Sequence, residues 1–175
     1  MSGIAPSRIS GVESEPMRTA HRVVPIFQKS EGECGIVCLL MILKAFGIAA
    51  TLLELRRACA PSRLGSTALS LVGAARGLGL PVSAFRLSSS DIECLDLPAI
   101  AHWKSGHYVV LTDVSEKTVT FADPATGESS ITRDTFAACF SGVALALSSK
   151  WRLKRRQRSQ ERTRLRTTSI RISKN

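Results

Sequence analysis

The segment Ser30-Glu-Gly-Glu-Cys34-Gly-Ile-Val-Cys38-Leu-Leu-Met-Ile-Leu-Lys-Ala-Phe46-Gly47 organises the rest of the chain. From Cys34 to Phe46 it is apolar nearly all round, which predicts a helix buried inside a core rather than one lying on a surface. Gly47 is placed to end it. The start is less sharply marked. Ser30 and Glu33 have the spacing of a capping box, whereas Gly32 and Gly35 weaken early helix, so the first turn begins nearer Glu33. Either start sets Cys34 within the first turn. There the oriented backbone N–H groups of a helix N-terminus stabilise a thiolate. Gly35 beside it is expected to let a substrate backbone approach.

Upstream, residues 1–21 hold Gly, Ser and Pro without periodicity and read as a flexible leader, followed by a short extended apolar run, Val23 to Phe27. Downstream, Thr51 and Glu54 form a second capping-box pattern that opens a short helix to about Ala60. Ser66 or Thr67 starts a third helix, which Gly79 and Pro81 terminate. The period then changes from helical to alternating. Val82 to Leu87, Ala99 to Trp103, His107 to Thr112, Val119 to Ala122 and Ser129 to Thr132 read as strands. A short helix from about Asp134 to Phe140 and a strand, Val143 to Leu147, complete the pattern. Helices first and antiparallel strands second is an α+β arrangement.

Composition narrows the class. The 175 residues are 44% hydrophobic and 22% charged, as in a globular domain with a real core. No apolar run reaches the ~18–20 residues of a membrane span, and Met1 to Gly11 lacks a signal-peptide stretch, so a cytoplasmic chain is expected. The five cysteines are odd in number and lack paired C-x-x-C spacing, which argues against a zinc or redox motif; no cofactor or metal is expected. Cys38, Cys59, Cys94 and Cys139 are expected in the core. The net charge of +10 is all in one place. Residues 150–175 hold eleven Lys and Arg against Glu161, while residues 1–149 hold thirteen of each sign. That tail reads as solvated and disordered, with anionic lipid as its functional alternative. Its single aromatic, Trp151, supplies no stacking platform, so nucleic acid is not the expected partner.

A nucleophilic cysteine calls for a histidine base. His21 lies in the leader, leaving His102 and His107 in the strand region. If His107–Thr112 and Thr118–Asp123 pair about a turn centred on Ser115, opposed residues sum to 230. His107 then faces Asp123, Val109 faces Phe121, Leu111 faces Val119 and Asp113 faces Lys117. Directly opposed residues are close enough for an Asp to hold an imidazole. Each residue also has an ordinary reading: Asp123-Pro124 suits a turn, and Gln28 a surface amide. Together, Gln28, Cys34, His107 and Asp123 form an ordered set.

The stretch from Gln28 through Cys34 to Gly47 closely resembles the opening of the double-glycine leader peptidases, the bacteriocin-processing cysteine peptidase domains of peptidase-containing ABC transporters of the colicin V exporter type. The resemblance continues through Leu97-Pro-Ala-Ile-Ala-His-Trp103, His107-Tyr-Val-Val-Leu111, Ala122-Asp-Pro124 and Phe140-Ser-Gly-Val-Ala-Leu145. It implies a papain-like fold over residues 22–149. It also implies Cys34 as nucleophile, His107 as base, Asp123 as its orienting carboxylate, and the Gln28 amide with the Cys34 N–H as the oxyanion site. The implied reaction is cleavage of a precursor peptide after Gly-Gly, with an ABC exporter or the cytoplasmic membrane face as neighbour. A relative that only recruits substrate is the alternative. No P-loop motif is present, and both a transporter fragment and a stand-alone peptidase fit the residues.

Overall fold

A computed structural model describes residues 21–60 and 65–147; the expectations for residues 1–20 and for the basic tail lie outside the described residues. A 3-10 turn, Glu31–Glu33, leads directly into α1, Cys34–Ala45. Helices α2 (Leu52–Cys59) and α3 (Ala68–Gly77) follow, then β1 (Val82–Arg86), a second 3-10 segment (Ser89–Cys94), and strands β2 (Ala99–Trp103), β3 (Tyr108–Val114), β4 (Thr118–Asp123) and β5 (Gly127–Thr132). Helix α4 (Arg133–Cys139) and β6 (Phe140–Leu147) close the domain. The six strands form one antiparallel sheet in the order β1-β6-β2-β3-β4-β5. The α+β expectation holds.

The helix ends follow the sequence signals, with one exception. Thr51 and Glu54 make the full reciprocal capping box, and Thr67 Oγ1 accepts the Ser70 N–H at the start of α3. Gly47, at φ +71, lets Ile48 N–H reach Leu43 O, closing α1 in a Schellman turn. The exception is Ser30 and Glu33. The Ser30 side chain makes no cap bond. The Glu33 carboxylate turns inward instead, accepting the Lys29 N–H and pairing with Arg56 of α2.

Alternation along the strands builds a core on each sheet face. Ile100, Tyr108, Val110, Ala122 and Leu145 pack with α1, α2 and α3 on one side. Val109, Leu111, Val119, Phe121, Phe136 and Phe140 pack on the other. Helix α1 lies between the sheet and the other helices, and every residue from Cys34 to Leu43 is buried, as its all-round apolarity requires. Cys38, Cys59 and Cys94 are buried, but Cys139 is exposed, against expectation. In the seven-residue α4 only Phe136 faces the core, and the chain turns into β6 one residue after Cys139. His21, expected in the leader, instead lies against the far end of α1, with Nδ1 3.1 Å from Ala45 O and its ring 4.0 Å from that of Phe46.

Gly35 has a different role from the one expected. A Cβ added there would sit 3.1 Å from Leu71 Cδ1 and 3.2 Å from the Tyr108 ring. The missing side chain therefore admits the protein's own α3 and β3, not a substrate. The Tyr108 ring is held in turn by a tilted contact with the His102 ring, centroids 4.7 Å apart at 53°, so it has little freedom to yield. By contrast, a Cβ on exposed Gly73 of α3 meets nothing within 4 Å. Gly35→Ala is therefore expected to lower stability despite its gain in helix propensity, by about 1 kcal/mol net. Gly73→Ala should raise stability by a similar ~1 kcal/mol. Thermal unfolding of the two variants beside the parent checks both signs.

Candidate active site

Cys34 enters the site as the first residue of α1, with 5% of its surface exposed. Cys38 lies one helical turn further in, with none. One residue of β3 distinguishes the two thiols. The Tyr108 N–H hydrogen-bonds to the Cys34 sulfur, whereas the Tyr108 carbonyl accepts the Cys38 S–H at 3.3 Å. Burial alone would raise the Cys34 pKa. Hydrogen bonds from His107, Tyr108 N–H and Gly35 N–H, with the His107 charge, outweigh burial and hold it below the usual thiol range. Burial pushes Cys38 well above that range, and the Cys34 and Asp123 charges add to the effect. Two cysteines of one helix thus have opposite chemistry.

His107 lies just before β3, after the turn at Gly106, which has φ +86. Its Nε2 is 2.8 Å from Asp123 Oδ1. The ring's other nitrogen, Nδ1, is then the one left for Cys34. The hydrogen bond with Cys34 is the largest influence on the imidazole. Burial opposes it, the Asp123 hydrogen bond and charge add to it, and the pKa is raised to about 9. Between the lowered thiol pKa and this raised one, the pair holds a thiolate beside an imidazolium.

The hairpin that joins His107 to Asp123 differs from the expected register. Val110 faces Ala122 and Leu111 faces Phe121, so opposed residues sum to 232, not 230. Beyond them Asp113 faces Thr120, not Lys117, because Thr112 is an extra residue, a β-bulge. The turn is centred on Glu116 and Lys117, where Ser115 N–H reaches Thr118 O and Ser115 Oγ accepts Thr118 N–H. The paired register ends at Val110 and Ala122, and His107, just before β3, meets Asp123 at the end of β4 beyond it. A two-residue slip preserves side-chain faces, and the diagonal neighbour remains within reach of a long side chain. The pairing survives although the register that suggested it does not.

Asp123 Oδ1 also accepts the Ala125 N–H at 2.7 Å. The ordinary turn reading of Asp123-Pro124 and the orienting role therefore coexist in one oxygen. The same turn anchors Gln28, whose N–H donates to Pro124 O at 2.8 Å. One amide atom of Gln28 (Oε1) is buried with no hydrogen-bond partner among the described residues. Because the two ends of an amide exchange by rotation, a donor can also occupy that position. Cys34, His107 and Asp123 are thus brought together, the Gln28 main chain is anchored on the turn after Asp123, and His102 is set apart. Its Nδ1 is 2.9 Å from Ser141 Oγ, and burial, then the charge of His107, lowers its pKa. Sequence reasoning missed the Glu33–Arg56 pair, for which an acid directly before the cysteine was the available signal.

The ionisation is open to measurement. The rate at which iodoacetamide alkylates Cys34 should follow a thiolate that titrates below the ~8.5 of an ordinary thiol. His107→Ala leaves burial dominant and should move that midpoint above ~8.5. Asp123→Asn, which weakens the imidazolium, should shift it upward by less. An unchanged midpoint in both variants would remove His107 and Asp123 from the site.

Known proteins with the same features agree in family. The model of the peptidase C39 family matches residues 22–151. The colicin V secretion/processing ATP-binding protein CvaB of Escherichia coli is 37% identical over 129 residues, covering 74% of this chain but 18% of that protein. An uncharacterised protein of Methanothermobacter marburgensis is 29% identical over 124 residues and is covered over 87% of its length. Among solved structures, a double glycine motif protease from an AMS/PCAT transporter, in complex with its leader peptide, superposes with a TM-score of 0.70 at 33% identity. That match covers 74% of this chain and 94% of the other. The chain therefore spans about a fifth of CvaB and nearly all of the separate peptidase domain. It belongs to the peptidase C39 family, as a cysteine peptidase domain of papain-like α+β fold.

Proposed function

We propose that this domain cleaves the leader of a bacteriocin-like precursor peptide after a Gly-Gly pair, through Cys34, His107 and Asp123, with Gln28 at the oxyanion. The observation that carries this reading is the polarised pair: a Cys34 thiol lowered beside a His107 imidazole raised to about 9 and tied to Asp123.

The chemistry follows from those positions. The Cys34 thiolate attacks the carbonyl carbon of the second glycine. The electron pair of the C=O bond moves onto oxygen, where the Cys34 N–H and the Gln28 amide donate. Collapse of the tetrahedral species breaks the C–N bond, and His107 gives its proton to the leaving amine. A water then attacks the thioester with His107 as base. This releases the leader carboxylate and regenerates the pair. Asp123 keeps the ring oriented and favours its charged form throughout.

The substrate class rests on the relatives: one is a double glycine motif protease bound to a leader peptide, and another is a colicin V secretion and processing protein. We further propose an ABC exporter, or the anionic membrane surface beside it, as the neighbour of residues 150–175, which carry all of the net charge. Among the described residues no helix is long and apolar enough to cross a membrane.

Incubation with a synthetic Gly-Gly leader–cargo peptide, followed by mass spectrometry, should yield a single cut after the second glycine. Cys34→Ala should abolish it, and Gln28→Ala should lower kcat by about 10²–10³. The alkaline limb of kcat/KM should fall near pH 9, where His107 loses its proton. Equal cleavage by the parent and Cys34→Ala would overturn the assignment. Leader binding without cleavage by the parent would favour the recruiting role.

A further inference from the structure

The two groups assigned to the oxyanion, the Gln28 amide and the Cys34 N–H, stand at opposite ends of one short loop. Such a loop needs ties, because a displacement of about 1 Å at a reacting centre can cost ~10²-fold in rate. One end is held by Gln28 N–H on Pro124 O. The middle packs against another segment of the same chain: Gly65, at φ +91, lies so close that an added Cβ would sit 3.3 Å from Gly32 O. The remaining tie is Glu33. Its Oε2 accepts the Lys29 N–H at 3.0 Å, closing the loop from the residue before Cys34 to the residue after Gln28. Its Oε1 accepts Arg56 Nε at 2.9 Å and also pairs with Nη2. The Glu33 side chain is 9% exposed and that of Arg56 42%, so the carboxylate is held from α2 and shielded by it.

A buried carboxylate directly before a thiolate is otherwise adverse, since a like charge opposes ionisation of the sulfur. The Arg56 guanidinium offsets that charge while leaving the second carboxylate oxygen on the loop. We propose that Glu33, anchored by Arg56, is a positioning residue that sets the distance between the Gln28 amide and the Cys34 N–H. It acts on stabilisation of the oxyanion and not on formation of the thiolate. The proposal rests on the cysteine peptidase reading above.

The two effects separate experimentally in the intact chain. Iodoacetamide reacts at an sp3 carbon and makes no oxyanion, so it reads the thiolate alone. A leader peptide ending in Gly-glycinal forms a thiohemiacetal whose oxygen occupies the oxyanion position, so its inhibition constant reads the loop. For Glu33→Ala, kcat on the leader–cargo peptide and affinity for the aldehyde should each fall about tenfold. KM and the alkylation rate should stay within about twofold. Glu33→Gln, which keeps one oxygen for the Lys29 N–H but presents an NH2 donor to Arg56, should recover part of the loss. Should Glu33→Ala not fold, Glu33→Met, which fills a similar volume without an acceptor for the Lys29 N–H, carries the same expectation as the Ala variant. Alkylation falling in proportion to kcat, or kcat unchanged in the folded variant, would overturn the proposal. A parent that fails to cleave the peptide would count against the proposed function. The aldehyde and alkylation measurements, which need no turnover, would still decide the role of Glu33.

Discussion

The close approach of α1 to β3 at Gly35 and Tyr108 is the contact on which the site depends. Helix α1 is apolar on every face, so its burial is driven by surface area and is not directional. Direction comes from the one position where a side chain is missing. With no Cβ at residue 35, the Tyr108 ring and Leu71 close against the helix backbone. The main chain of β3 then runs beside Cys34 and Cys38, which share a helix face four residues apart. From that placement Tyr108 offers its N–H to one sulfur and its carbonyl to the other. A thiolate gains from the donor, and a neutral thiol from the acceptor. The residue before Tyr108 is His107, so the contact that seats the helix also delivers the imidazole.

From His107 the connections form a closed circuit. The imidazole meets Asp123 at the end of β4, and Asp123 and Pro124 make the turn whose carbonyl receives Gln28 N–H. Gln28 begins the loop that Glu33 ties back to itself and that leads to Cys34. The circuit runs through both the helical side, at Glu33 and Cys34, and the sheet side, at His107 and Asp123. Opening the circuit at any point releases a group that is needed elsewhere in it. Such closure is what holds catalytic groups within the narrow geometric tolerance that acyl transfer requires.

Much of this was legible locally. The capping box at Thr51 and Glu54, the stop at Gly47 and the six strand segments are short-range signals, and they appear within two residues of their expected places, except that β6 begins three residues early, at Phe140. Other readings failed where a longer-range partner competed. Glu33 has the spacing to cap with Ser30, but Arg56 from another helix holds its carboxylate. Cys139 has the chemistry of a core residue, but a seven-residue helix has room to bury little beyond Phe136. The hairpin turn was misplaced because a bulge at Thr112 leaves no mark in a pattern of alternating residues.

The sequence by itself determined which segments are helix and strand, which faces are apolar, and which residues are chemically able to form the site, because those properties depend on neighbours a few positions away. Helix position already favoured Cys34 over Cys38 as the ionisable thiol, but the groups that lower the one and raise the other needed the tertiary structure. So did the diagonal pairing of His107 with Asp123, the packing duty of Gly35 and the inward turn of Glu33. The physical reason is common to all four. Desolvation and hydrogen bonding act over a few ångströms in space, and the groups that decide them lie 16 to 74 positions apart along the chain.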